Sequence, residues 1–422
     1  MSAGFNLRTL DGLLGRLGIG RLGQNTLLSA MGLGTRAVIQ AGYLIVLSRW
    51  MGPHGYGLFA GSVAAAILIS PISGWGISYV LTQQVARDPA RSHTLWATAI
   101  MQVALSGALL IGVLMLVSSV ALVDRVDMSS MFLLGFAELV ALPLVQVATS
   151  ACLVLDRGVA AAVSMCLVPA FRMIVMIVPM TAGLVGTPDH VAFLHFAGSA
   201  VGLATAIYLI ARVDGAPVWR KRFPWKSAAV DGTPYAIGAL VGTSYQEVDK
   251  VLLLQILGAT VVGTYTAAFR VMSVFVLPVS ALMAAALPRL FAAHGTPGGT
   301  KLLKTVTLAA VGYATVASIA AAIAAPLMPL VFGPGYVVST KFLLMLSPWA
   351  FVFALHQSAA IGLTASDRQG ARVLVESLGL ALVVGMNLLL LRSVGVGAAV
   401  LSLLTTEVFM ACGCWVMMMR KR

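Results

Sequence analysis

Charge is scarce in this chain of 422 residues: Asp, Glu, Lys and Arg make up 10% of it, where soluble globular domains carry roughly 25%. The hydrophobic share is 59% and the mean hydropathy +0.97, which excludes soluble enzyme and binding folds and leaves a polytopic membrane protein. Cysteine is limited to Cys152, Cys166, Cys412 and Cys414, each in or at the edge of an apolar run; a disulfide framework is excluded and these read as small packing residues. The six histidines have no metal-ligand spacing, so neither a metal nor a cofactor is expected. Acidic residues number 14 against 27 basic ones, a net charge of +13. In a soluble chain that excess would suggest nucleic acid, but in a membrane protein basic residues collect in cytoplasmic loops, and no nucleic-acid partner is inferred.

What is present in abundance is apolar sequence. Runs long enough to span a bilayer, about 20 residues each, fall near 25–48, 56–82, 94–121, 129–153, 159–185, 190–211, 233–256, 263–290, 304–331, 337–363, 373–391 and 396–419. They predict an all-α polytopic membrane protein of about twelve transmembrane helices. An even count puts both termini on one side. With the termini cytoplasmic, 19 of the 27 basic residues fall in inside segments, four (Arg49, Arg125, Lys341 and Arg392) in outside loops, and the last four within spans. One missed helix would invert every later loop, so this positive-inside bias supports both the count and the orientation. The expected location is the inner (plasma) membrane, multi-pass, with both termini cytoplasmic. Residues 1–24 read as a basic cytoplasmic segment, either a surface helix built on Leu10, Leu13, Leu14 and Leu17 or a disordered tail. The first apolar run is too long for a signal-peptide core.

The polar stretch 213–232, with two prolines, two tryptophans and a cluster of basic residues, divides the spans into bundles at 25–212 and 233–422. Both halves open alike. Gly52-Pro53-His54-Gly55-Tyr56-Gly57-Leu58-Phe59 recurs 206 residues later as Gly258-Ala259-Thr260-Val261-Val262-Gly263-Thr264-Tyr265, a shared spacing of Gly, four residues, Gly, one residue, aromatic. An even number of spans separates the copies, so the two six-helix bundles are expected to be related by a pseudo-two-fold axis along the membrane normal. A tight outer hairpin favouring Gly and an aromatic is the simpler alternative.

The segment Leu47 to Ala60 resembles the first-hairpin signature of polysaccharide-transport, O-antigen flippase-type proteins in the multidrug/oligosaccharidyl-lipid/polysaccharide exporter superfamily. Val248-Asp249-Lys250 through Phe269-Arg270 is similar to the same family's seventh and eighth helices, with weaker echoes at Leu330–Gly333 and Gly395–Ala399. Many relatives have fourteen helices, where this chain has room for twelve. The resemblance implies a V-shaped alternating-access transporter, not an enzyme. Its cargo would be a polyprenyl-diphosphate-linked oligosaccharide, flipped to the outer leaflet for cell-surface polysaccharide assembly (lipopolysaccharide or exopolysaccharide). It further implies membrane lipids, a polysaccharide polymerase and glycosyltransferases as partners.

Four cations, Arg36, Arg172, Lys250 and Arg270, lie inside spans, where an ionisable group is costly unless it faces a cavity or a partner. They are the candidate binding groups for a diphosphate, since Arg holds phosphate oxygens bidentately. Their alternative role is to pair with the embedded acids Glu138, Glu247, Asp249, Glu376 and Glu407. Glu247 and Lys250, three apart on one helix, could pair, whereas Asp249 and Lys250 point about 100° apart and are not expected to; Lys250 could instead snorkel to the outer interface. Glu407, Asp249 and Glu138 are the candidates for ion coupling. Two alternatives to the flippase stay open, a drug or cation antiporter of the same superfamily and an integral-membrane polymerase or ligase, although the latter usually needs a larger outer loop than any here.

Overall fold

Within lipid the backbone has no partner but itself, so each span must be helical, and every regular element among the described residues is a helix. The computed structural model describes residues 21–121, 126–219, 225–293 and 295–420. Most of the expected N-terminal segment, residues 1–20, and residues 220–224 of the linker lie outside them. The chain forms two compact units, unit 1 of Met1–Trp50 with Ala65–Leu240 and unit 2 of Met51–Ala64 with Val241–Arg422.

Helix α1 (Arg21–Ile69) runs through both and is broken at Gly52, whose φ of 65° no L side chain adopts readily, just before Pro53. Unit 1 continues with α2 (Ile77–Arg87), α3 (Ser92–Ala121), α4 (Met128–Phe136), α5 (Leu142–Val154), α6 (Gly158–Thr181), α7 (Pro188–Val213) and the first part of α8 (Trp225–Ile256). The α4 helix passes into α5 through a π turn, Ala137–Ala141. Its cause is visible in the sequence: Pro143 has no N–H to give the Leu139 carbonyl. The Ser73 hydroxyl donates to that carbonyl instead. Against α6, helix α7 sets Gly198 on the backbone of Phe171 and Arg172, and Gly202 on that of Val168, an approach only small residues permit.

Unit 2 holds the rest of α8, then α9 (Ala259–Ala292), α10 (Pro297–Ala324), α11 (Met328–Phe332), α12 (Val337–Leu346), α13 (Trp349–Ala365), α14 (Gln369–Val394) and α15 (Gly397–Met419). Helix α13 packs on α10 and α15, and α14 on α15.

Among the described residues nine helical stretches are long and apolar enough to cross a membrane, and the pair Pro334–Leu346 and Trp349–Ala365, bent by 45° at a short break, makes a tenth. The expected twelve differ from this for two reasons. The stretch Ala30–Arg87 fuses the first two expected spans, and α8, although 32 residues long, is less apolar than the other spans, with Glu247, Asp249 and Lys250 crowded into one turn. Each expected span therefore has a helical counterpart.

Candidate functional site

Arg36 lies about 16 Å along α1 from residue 25, at roughly 1.5 Å per residue. It is partly buried, and no carboxylate lies within ion-pair distance of it among the described residues. It faces a cavity of about 650 Å³ in unit 1. Opposite it α2 presents Ser78, Tyr79, Thr82 and Gln83, α5 presents Gln146 and Thr149, and α8 presents Tyr235. Tyr79 and Tyr235 stack with ring centroids 4.7 Å apart and planes 9° apart, each about half exposed. Among the described residues the lining contains no Asp or Glu, and Arg36 is its one charged group.

The placement of α2 depends on a break in the preceding helix. Gly74, Trp75 and Gly76 all have positive φ (74°, 46° and 75°), and the exposed backbone is satisfied locally: Gln102 Nε2 donates to the Gly74 carbonyl at 2.9 Å and the Gly74 N–H donates to Ser106 Oγ at 2.9 Å. A side chain on Gly76 would strike the Gly232 backbone, and the Trp75 indole N–H donates to Thr233 Oγ1 at 2.8 Å, so α2 and the start of α8 are held together beside the cavity. Irregular backbone at membrane depth is tolerated only against protein or a water-filled space.

The other three embedded cations are paired. Arg172 Nη2 lies 2.8 Å from Glu138 Oε1, and its Nε donates to Ser199 Oγ at 2.8 Å. The same carboxylate, carried on the π turn, meets His195 Nε2 at 2.9 Å, while His195 Nδ1 lies 2.8 Å from the Tyr43 hydroxyl. In unit 2, Arg270 holds Glu247 with both terminal nitrogens, at 3.0 and 3.2 Å. Lys250 is fully buried, so it does not snorkel. Its Nζ lies 3.1 Å from Asp249 and 3.5 Å from Glu247, donates to the Gln246 carbonyl, and sits 3.6 Å over the Phe269 ring. The expectation that Asp249 and Lys250 would not meet thus fails, because the four-carbon lysine stem folds back along its own helix. Asp249 also accepts from the Tyr265 hydroxyl at 2.5 Å.

Glu407 is fully buried on α15, accepting from Trp349 Nε1 at 3.1 Å and lying 2.7 Å from His356 Nδ1. On the far side of that imidazole, Nε2 is 3.7 Å from Glu376, which Arg372 Nε holds at 2.7 Å. His195 and His356 thus partner the embedded acids, a role that residue counts and spacing did not suggest. Their separations of 57 and 51 residues from those acids leave no linear signature.

The hairpin glycines meet within unit 2. Gly52 and Gly258 both have positive φ, 65° and 90°. His54 Nδ1 lies 3.4 Å from Thr260 Oγ1, its counterpart 206 positions on, and Gly57 and Gly263 touch backbone to backbone. No group of three or more His, Cys, Asp or Glu residues able to hold a metal occurs among the described residues.

A family model described as "Polysaccharide biosynthesis protein" matches residues 22–294. No curated protein sequence matches. Several solved structures share the fold. One is a multidrug resistance MATE family transporter of the MOP superfamily in its inward-facing conformation, with a TM-score of 0.72 at 13% identity over 92% of this chain and 97% of that one. A MOP superfamily transporter from Pyrococcus furiosus, for which reverse polarity of the binding pocket suggests a different function, gives 0.66 at 14% over 93% of both chains. The MATE multidrug transporter DinF-BH gives 0.67 at 12% over 95% of both.

Proposed function

Since the chain belongs to the polysaccharide biosynthesis protein family and has the fold of MATE-type membrane transporters, we propose that it carries a polyprenyl-diphosphate-linked oligosaccharide across the inner membrane, from the cytoplasmic to the outer leaflet. The observation that carries this reading is the charge of the unit 1 cavity: among the described residues its lining holds one cation, Arg36, and no carboxylate. An anion crossing hydrocarbon needs such a compensating charge, and a guanidinium binds phosphate oxygens through paired N–H donors. The rest of the lining suits a glycan. Hydroxyl and amide groups of Ser78, Thr82, Gln83, Gln146 and Thr149 can donate to and accept from sugar hydroxyls, and the tyrosine pair offers flat apolar area.

A cation or drug antiporter would want an available carboxylate at this place. Glu138, the embedded acid of unit 1, is engaged by Arg172 and His195 and does not line the cavity. Transport of a finished lipid-linked intermediate requires no bond-making residue, so the protein acts as a carrier, not an enzyme. Enzymes that assemble and polymerise the glycan would stand before and after it. Both termini lie on the cytoplasmic side, in keeping with the positive-inside bias of the loops.

The test is translocation of a fluorescent polyprenyl-diphosphate oligosaccharide in proteoliposomes containing the full chain. Loss of label from the starting leaflet with wild type, and not with empty vesicles, supports the reading. Failure across several glycans, combined with extrusion of an organic cation, favours the antiporter.

A further inference from the structure

Helix α2 has two faces. Ile77, Val80, Leu81 and Val85 are buried in unit 1, while Ser78, Tyr79, Thr82 and Gln83, which alternate with them at helical spacing, line the cavity. Tyr79 is thus turned to the cavity and not to the lipid headgroups, where tyrosines near the end of a span commonly sit. Its ring lies flat on that of Tyr235, with centroids 4.7 Å and planes 9° apart. Each ring gives one face to the other, yet Tyr79 stays 55% and Tyr235 46% exposed, so open aromatic surface remains.

The stack is fixed from behind by backbone. A Cβ on Gly76 would lie 2.4 Å from the Gly232 carbonyl oxygen, and one on Gly232 would lie 2.1 Å from that of Trp75. Each glycine stands three residues before its tyrosine, so both rings rise one turn from the point where α2 and α8 touch. Trp75, with a φ of 46° that a bulky residue keeps only when its surroundings dictate it, donates from its indole to Thr233 Oγ1 at 2.8 Å. Aromatic surface held this firmly loses little freedom when a ligand lands on it. Arg36 lies eleven residues into its span, and Tyr79 and Tyr235 lie three and two residues from the matching ends of theirs. At about 1.5 Å per residue the pair is displaced roughly 12 Å from Arg36 along the bundle.

We propose that the Tyr79–Tyr235 pair is the sugar subsite of the unit 1 cavity, taking a pyranose ring close to the diphosphate by its C–H face; this rests on the reading of the protein as a carrier of lipid-linked glycan. A pyranose offers electron-poor axial C–H bonds to the electron-rich face of a phenol ring, and hydroxyls at its rim. Ser78 and Thr82, beside Tyr79 on α2, meet that rim. A polyprenyl tail could cover the rings but would leave these polar groups unpaired, and an organic cation would meet Arg36.

The test is the affinity of full-length protein in lipid nanodiscs for three probes: bare polyprenyl diphosphate, the same lipid ending in glucose, and the same lipid ending in glucitol, which keeps the hydroxyls but has no ring. Wild type should bind the glucose lipid about tenfold more tightly than the glucitol lipid. Tyr79→Leu and Tyr235→Leu should abolish that ratio, Tyr79→Phe should keep it, and Arg36→Gln should weaken all three probes while the ratio survives. Equal wild-type binding of ring and open chain overturns the proposal, as does a ratio that persists in a folded leucine variant; in both cases the carrier reading stands, because the bare lipid is still bound. Binding of none of the three by wild type overturns the carrier reading and the subsite with it. If one leucine variant does not fold, the other and the wild-type ratio decide.

Discussion

Gly57 and Gly263 exclude side chains from each other's positions: a Cβ on Gly57 would lie 2.9 Å from the Gly263 amide nitrogen, and one on Gly263 would lie 3.0 Å from that of Gly57. Each would also strike a carbonyl oxygen, of Ala259 and of Pro53 respectively. These neighbours are backbone and cannot rotate away. Either glycine replaced by alanine should lower stability by about 1–3 kcal/mol, the usual cost of overpacking. Thermal unfolding of the purified protein, read by size-exclusion chromatography after heating, checks this against Gly312→Ala, where the added carbon meets nothing within 4 Å.

The buried pair Glu138–Arg172 should behave as a unit. Arg172→Ala leaves an uncompensated carboxylate that is 3% exposed and should cost about 3–5 kcal/mol, as breaking a buried pair does. The double variant Arg172→Ala with Glu138→Gln should recover much of that loss. Recovery in a double-mutant cycle separates a structural pair from a cation kept for cargo.

Ser73→Ala should remove the donor that the Leu139 carbonyl depends on, at a cost of about 1–3 kcal/mol for a buried unsatisfied group. Adding Pro143→Ala restores a backbone N–H to that carbonyl and should bring part of the stability back. Absence of rescue would place the cause of the π turn elsewhere.

At the start of α4, Asp127 accepts from the N–H groups of Ser129 and Ser130 at 2.9 and 3.3 Å. The Ser129 hydroxyl and these amides hold its carboxyl below its ordinary range. A depressed acid stabilises above its unfolded value and ceases to do so as pH falls through the folded one. The protection of the amides in the first turn of α4, measured as exchange relative to the intrinsic rate at each pH, should therefore fall on acidification below about pH 4, and Asp127→Asn should flatten that dependence.

Much of this was legible in the chain. The spans, the repeated glycines at 52 and 258, and the unusual cations follow from hydropathy, φ requirements and the cost of charge in lipid. Gly57 and Gly263 could be matched by spacing, but their mutual contact could not, since it depends on how distant segments pack. The four cations could not be sorted into paired and unpaired, because Arg36 and Arg172 look alike in sequence and differ only in whether α4 and its π turn carry Glu138 to them. Lys250 shows the limit of helical-wheel geometry: its Cα direction points away from Asp249, yet its flexible stem brings the ammonium back. The roles of His195 and His356 leave no linear pattern, because each imidazole meets its carboxylate across helices, 57 and 51 residues away in sequence.

The proposed function requires that the charge of Arg36, and not merely its bulk, serve an anionic cargo. The measurement that tests it most directly is the rate of polyprenyl-diphosphate oligosaccharide translocation for wild type, Arg36→Lys, Arg36→Gln and Arg36→Glu, at matched reconstitution and with unfolding temperatures in hand. Lysine should retain part of the rate, glutamine should lose at least tenfold, equivalent to ~1.4 kcal/mol, and glutamate should abolish transport, with folding little changed. Equal rates for arginine and glutamine in folded protein would contradict it.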